Sequence, residues 1–398
     1  MNKRLTIIMP CYNCADTLEE AVESCYAQDL ENFEIVMVDD GSTDNTKTVM
    51  KKLADKHLEI KLFYHDKNRG GGAARNTAVG NSEAEIIFCL DSDDVLPPKV
   101  LSKMFSLMKE KGCDGVLFEE TRFFYDKNIK KTEIVKNTVI GRPIELVDLF
   151  KEKTGFLTKH NFLYTKESFN NSGGYPTDHG FDTQTFGLRF LSNGHKAYVC
   201  LGTFYFHRRS KVAGSYFMRE CAEGKLSFNI YLMYEEIIHL LSDDLIRKIF
   251  NYDIIGNNIL GSENLSTFIS KFFTKKGEQD FFIKNYKTFI KRQSPEAYMQ
   301  DARNSDRDGF TKKIVEAIYN YKSGMHDKAL DLYSDLITSH PNSKLLYVNM
   351  LRSLLCKNGF GPRQSNDYVF QIFQSQKPKS RFLLLANKVG RLFKKLWK

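Results

Sequence analysis

The sequence predicts an α/β domain followed by a helical region. Three observations carry that expectation. Short apolar, β-rich runs alternate with helical patterns over the first 120 residues; those runs are continuously apolar rather than alternating; and each of the first four ends in a cluster of polar residues. Continuous apolar strands are buried on both faces, which is how a mostly parallel sheet covered by helices reads.

The order of elements follows from the same patterns. "LTIIM" (5 to 9) opens the sheet, and a helix begins near residue 17, with Asp16 expected as its N-cap and Glu19 three residues on. "FEIVMV" (33 to 38), a helix from about 44, "IKLFYH" (60 to 65) and a short helix rich in Gly and Ala continue the alternation. "EIIFCL" (85 to 90), a helix after Pro97 and "GVLFEE" (115 to 120) complete it, and a later strand pattern lies in "KAYVCLGTFYFH" (196 to 207). A domain over residues 1–213 is therefore expected, then a helical region over 214–376 and a basic tail over 377–398. Within the helical region, the spacing of Gly324, Ala329, Tyr333 and Pro341 fits one tetratricopeptide-type helix pair at 311–356. One pair cannot stand alone, so it is expected to pack on its neighbours and could serve an oligomer.

Composition narrows the function classes. The 398 residues suffice for two or three domains, and 42% hydrophobic with 27% charged residues is ordinary for a globular protein. No apolar run approaches the roughly 18 to 20 residues that cross a bilayer, and the apolar stretch before Pro10 is too short for a secretory signal, so a cytoplasmic location is expected. Eight scattered cysteines read as small core residues in a reducing compartment, including the solitary CxxC pair Cys11 and Cys14. The net charge of +9 is concentrated in residues 377–398, which hold eight Lys or Arg and no acid. That distribution argues against nucleic acid and for one attachment surface. Phe382, Leu385, Val389, Leu392 and Leu396 form one helical stripe, opposite Lys388, Arg391, Lys395 and Lys398. Such a helix can lie on an anionic membrane with Trp397 at headgroup level, or pack on protein.

In an open α/β sheet, ligands bind outside the carboxyl ends of the strands. Here those ends read "PCYN", "DDGSTD", "HDKNRGGGAARN" and "DSDD". Were strand geometry to persist, Asp91 and Asp93 would face one side and could share Mg²⁺ or Mn²⁺. Such an ion usually completes its coordination with water and substrate phosphates, which points to a nucleoside diphosphate.

As an ordered set, "IIMPCYN", "EIVMVDDGSTDNT", "NRGGGAARN", "FCLDSDD" and "GGYPTDHGFDTQTFGLRFLSNG" resemble the family-2 glycosyltransferases, over residues 4 to about 210. The resemblance implies the GT-A fold, a Rossmann-like mostly parallel sheet flanked by helices, and an inverting, metal-dependent transfer from a nucleotide sugar. By that resemblance Tyr12 stacks on the nucleobase, with Pro10 and Ser92 beside the nucleotide. Asp39 and Asp40 meet base or ribose, Arg75 the diphosphate, and Asp91 ribose or a metal-bound water. Asp93 is implied as the direct metal ligand, and His207 falls where some relatives place another. Asp94 holds the loop toward the sugar, and Gly173 and Gly174 leave room for a pyranose. Asp182 stands where the family has its catalytic base, although Phe181 replaces the acid that usually precedes it. The implied donor is a UDP-sugar and the acceptor a glycan or a lipid-linked chain in surface polysaccharide assembly, with the enzyme peripheral on the inner face of the membrane. Two other readings compete: a non-catalytic nucleotide- or glycan-binding scaffold, and a phosphatase of the haloacid dehalogenase type suggested by "DSDDV".

Overall fold

The computed structural model describes residues 4–125, 128–150, 161–209, 223–252, 265–292 and 307–374. It divides into two compact units, Met1–Arg219 and Glu220–Lys398. The basic stripe expected at 381–398 lies outside the described residues.

The first unit opens with β1 (Leu5–Cys11), α1 (Leu18–Tyr26), β2 (Phe33–Asp39), α2 (Thr46–Lys56), β3 (Ile60–Tyr64), α3 (Gly71–Gly80), β4 (Ile86–Cys89) and α4 (Val100–Lys111). It continues with β5 (Gly115–Tyr125), β6 (Asn128–Lys136), β7 (Leu163–Thr165), α5 (Lys166–Asn171), α6 (Asp182–Ser192) and β8 (Ala197–Arg209). The sheet order is β3-β2-β1-β4-β7-β5-β6, with β8 on the other edge of β5. β1 to β4 run parallel, as their unbroken apolar runs require, and every residue of β2 is buried. Past β4 the sheet is mixed: β7 is antiparallel to β4 and β5, β6 is antiparallel to β5, and β8 runs parallel to β5.

Helices α1 and α4 bury Leu18, Val22, Leu101 and Met104 against Ile7, Met9 and Phe88 of the sheet. A second cluster is aromatic. Phe162 stacks on Phe186 at 5.6 Å, and Tyr175 meets Phe186 at 4.5 Å, which fixes the segment leading into α6. The start of α1 corrects one expectation, because Thr17 rather than Asp16 occupies the N-cap and makes no side-chain cap bond. Its hydroxyl donates instead to the Ser92 carbonyl at 3.0 Å, so the residue ties the helix to the turn after β4.

In the second unit, helices Gly309–Lys322, His326–Ser339, Lys344–Lys357 and Pro362–Gln374 follow one another through short turns. Gly324 takes φ +73° in the first turn, a left-handed conformation that glycine adopts without strain, and Ala329 and Tyr333 are buried as their spacing suggests. A polar cluster is buried within the apolar core of this unit. Arg352 is fully buried and donates to Glu235 Oε1 at 2.7 Å, to Glu235 Oε2 at 3.1 Å and to Asn366 Oδ1 at 2.7 Å. A buried pair of this kind holds only while every partner is present.

Candidate active site

The loops after β1 and β2 are laced together by side chains. Asn13 takes φ +49°, its N–H donates to Ser42 Oγ at 3.0 Å, and its Oδ1 accepts from Thr43 N at 2.9 Å. Cys14 N donates to Thr46 Oγ1 at 2.8 Å. Between these ties Tyr12 is left outside the core at 37% exposure, so its ring is available to a flat ligand. Pro10 lies in β1, paired with Val38. Cys11 and Cys14 are free thiols, and burial pushes the Cys11 thiol well above its usual range.

Asp39 and Asp40 are both buried, and their carboxylates turn to the protein itself. Asp39 accepts from Ser42 N at 3.2 and 3.3 Å. Asp40 Oδ1 lies 2.6 Å from His65 Nδ1 and accepts from Arg69 N at 2.9 Å, while Oδ2 accepts from Gly70 N at 2.7 Å. His65 Nε2 reaches Thr77 Oγ1 at 2.9 Å. Asp40 therefore fixes the entrance to α3 from one side and, through His65, its body from another.

The acidic segment after β4 does not continue the strand. Asp94 N donates to Asp91 O at 3.0 Å, closing a turn, and the alternation that would have aimed Asp91 and Asp93 to one side is lost. Each carboxylate has its own environment. Asp94 is fully buried and accepts from Tyr205 Oη, from Arg208 N at 2.7 Å and from His207 Nδ1 at 3.0 Å, so it anchors the turn to β8. His207, expected as a metal ligand, is thus oriented by Asp94. Burial opposes its positive charge, but Asp94 and then Asp93 outweigh burial and push it above the usual histidine range. Asp93 is driven upward, first by burial and then by Asp94 and Asp91. Ser92 contributes its carbonyl to Thr17.

Asp91 belongs to a different constellation. Arg75, on α3 and 7% exposed, donates from Nη2 to Asp91 Oδ1 at 2.5 Å and from Nη1 to Asp182 Oδ2 at 2.7 Å. Its Nε donates to Cys89 Sγ at 3.2 Å, and Tyr175 covers the guanidinium at 5.7 Å from the ring centroid. Asp182 is the first residue of α6, and its Oδ1 accepts from Thr183 N at 2.8 Å. Asp91 and Asp182, separated by 91 positions in the chain, therefore share one guanidinium.

Gly71 and Gly72 pack against the protein itself. A Cβ on Gly72 would fall 2.0 Å from Pro176 O, and one on Gly71 would fall 2.8 Å from Asp182 Oδ2. Gly173 and Gly174 take φ +74° and +68°, and their carbonyls accept from Arg189 Nη1 at 3.3 and 3.0 Å. Asn76, which sequence reasoning passed over, pairs with the Tyr175 backbone at both ends, donating to its carbonyl at 2.8 Å and accepting from its N–H at 2.9 Å. Its only signal was its place in "NRGGGAARN", because its partner is 99 residues away.

This unit is an α/β domain of the GT-A type with an acidic, arginine-centred site at its strand ends. Residues 6–173 match the model of the family described as glycosyl transferase family 2. Asp182 lies beyond the matched segment. Among curated proteins, an uncharacterized glycosyltransferase of Haemophilus influenzae is 36% identical over 104 residues, 26% of this chain and 42% of that one. The chain thus spans less than half of that relative's length. Poly(ribitol-phosphate) beta-N-acetylglucosaminyltransferase TarP of Staphylococcus aureus is 25% identical over 287 residues, 61% of this chain and 87% of that one. The crystal structure of S. aureus TarS 1-349 aligns with a TM-score of 0.46 at 17% identity, over 86% of this chain and 92% of that one, a likeness too distant to carry an argument.

Proposed function

We propose that the protein transfers a sugar, with inversion, from a nucleoside-diphosphate donor, expected to be a UDP-sugar, to a hydroxyl of a glycan or lipid-linked acceptor in surface polysaccharide assembly. The observation that carries this reading is the shared guanidinium, which brings the turn expected to face the donor and the carboxylate expected to act as base together, at 2.5 and 2.7 Å from Arg75. The acceptor oxygen forms the new bond to the anomeric carbon as the bond to the diphosphate oxygen breaks. That electron pair leaves with the nucleoside diphosphate, and the acceptor proton passes to Asp182. Asp182 Oδ2 has Arg75 and Oδ1 has Thr183 N, and each oxygen keeps a second lone pair for the incoming proton. Tyr12, exposed at the end of β1, offers its face to the base. The name that TarP carries, a poly(ribitol-phosphate) N-acetylglucosaminyltransferase, supports a hydroxyl-bearing polymer as acceptor class.

A divalent cation fits the turn after β4. Three carboxylates lie within four residues there; Arg75 takes Asp91 and β8 takes Asp94, so Asp93 is the one that would hold Mn²⁺ or Mg²⁺, with Asp91 toward a metal-bound water. Among the described residues no group of three or more His, Cys, Asp or Glu is assembled to hold a metal by itself, so the ion would take further ligands from the donor diphosphate and water. When bound, it supplies positive charge to the departing diphosphate. Among the described residues no helix is long and apolar enough to cross a membrane, and contact with a membrane surface is assigned to the basic stripe of residues 381–398.

The test is turnover of a panel of UDP-, GDP- and CDP-sugars with Mn²⁺, for the wild type and Asp93→Ala. Turnover of a UDP-sugar that falls in the variant is the expected result. A wild type that binds and cleaves none of these donors refutes the reading.

A further inference from the structure

This inference rests on the transferase reading and deepens it at one residue. An arginine on a glycine-rich loop is expected to meet the donor diphosphate, yet here all three guanidinium nitrogens are directed at protein atoms: Nη1 at Asp182, Nη2 at Asp91 and Nε at Cys89. We propose that Arg75 is a positioning residue for the base, holding Asp182 in register with the turn that carries Asp91, rather than primarily a donor contact.

Three features make the arrangement rigid enough for that role. The guanidinium is planar and charged at every working pH, so two carboxylates bound through its two terminal nitrogens are fixed in both distance and direction. Its burial under Tyr175 leaves little room for another rotamer. The helix that carries it is also held at three points. Asp40 binds Gly70 N at its entrance, Asn76 binds both backbone groups of Tyr175, and the bare Cα of Gly72 lies against Pro176 O. Tyr175 and Pro176 belong to the segment that runs into Asp182, so α3 holds that segment by backbone and by side chain together.

The chemistry is consistent with this placement. Asp182 becomes neutral when it accepts the acceptor's proton, while the leaving diphosphate gains negative charge. A guanidinium between the two carboxylates stays compensated throughout, by Asp182 and Asp91 before the transfer and by Asp91 after it. Lysine at this position would keep the charge and lose the fork.

The experiment compares full-length wild type, Arg75→Lys and Arg75→Ala. It measures UDP affinity by calorimetry, and kcat and KM for hydrolysis of UDP-N-acetylglucosamine and UDP-glucose with Mn²⁺, with folding checked by thermal melting. The expected result is UDP affinity within about threefold of wild type and kcat lower by about 100-fold, the scale of an ångström-level misplacement. Added guanidinium ion should restore part of kcat in Arg75→Ala without changing KM, and if that variant does not fold, Arg75→Lys carries the comparison. A loss of UDP affinity of about 30-fold, the scale of one charge-assisted hydrogen bond, with kcat retained at saturating donor, overturns the inference and makes Arg75 a donor contact. That outcome leaves the transferase reading intact. A wild type that neither binds UDP nor cleaves either sugar nucleotide defeats the underlying reading, and the inference with it.

Discussion

Replacing Gly72 by alanine places a methyl group where the structure has no room for one, and replacing Gly80 does the same chemistry at the other end of the same helix in open space. Neither glycine has positive φ, so alanine meets no backbone strain at either site. Helix propensity alone favours both changes by about 0.5–1 kcal/mol. At Gly80 nothing lies within 4 Å of the added carbon, so this gain should stand and raise the melting temperature of the first unit by about 1–4 °C. At Gly72 the carbon would sit 2.0 Å from Pro176 O, 3.1 Å from Pro176 C and 3.2 Å from Asp182 Cβ. An ordinary contact between carbon and carbonyl oxygen is about 3.3–3.6 Å, so the backbone before Asp182 must withdraw by more than about 1 Å. Overpacking against backbone that cannot rotate away costs about 1–3 kcal/mol, which exceeds the propensity gain. A net loss of about 1–2 kcal/mol lowers the melting temperature by about 2–8 °C in a unit of this size. The same shift carries Asp182 away from Arg75 and Asp91, so donor turnover should fall by about 100-fold while UDP affinity changes little. Differential scanning calorimetry on both variants, beside donor hydrolysis, checks the pair. A Gly72→Ala protein that melts no lower than wild type and turns over normally would refute the idea that α3 positions the base.

Three further outcomes follow from particular contacts. Asp40→Asn puts amide hydrogens against the N–H of Arg69 or Gly70 and should destabilise the first unit by about 1–3 kcal/mol, read by urea titration, with donor KM worsening as the loop loosens. Tyr12→Ala, at an exposed position, should leave the melting temperature unchanged and weaken UDP binding by roughly 3- to 10-fold, the scale of one aromatic contact. In the second unit, Glu235→Gln leaves Arg352 buried without its charge partner and should cost about 3–5 kcal/mol, whereas replacing both residues by apolar ones of similar volume should recover much of the loss. Chemical denaturation of the single and double variants separates those cases.

Much of the fold was legible because burial on both faces leaves a plain mark on a parallel strand: the runs at β1 to β4 could be read from apolar continuity, and their polar ends marked the candidate site. The later sheet was less legible. β7 has three residues, and nothing in "LYT" announces that it is the antiparallel bridge between β4 and β5. Similarly, "DDGSTD" marks a loop, but whether Asp40 faces a ligand or the loop's own N–H groups depends on the chain folding back at Arg69 and Gly70.

By itself, the sequence determined the alternation of strands and helices, the cluster of acids after β4, the resemblance of the first unit to the family-2 glycosyltransferases, and the candidacy of Arg75, Asp91 and Asp182. Residue type and local spacing suffice for these, since hydrophobic period and turn chemistry act over a few positions. Only the tertiary structure decided how those groups are used: that the segment after β4 is a turn, that Asp94 serves β8, that Asn76 grips Tyr175, and that one guanidinium joins two distant carboxylates. Such pairings depend on loop closure over dozens of residues and on packing that excludes water, and neither leaves a periodic trace in the chain.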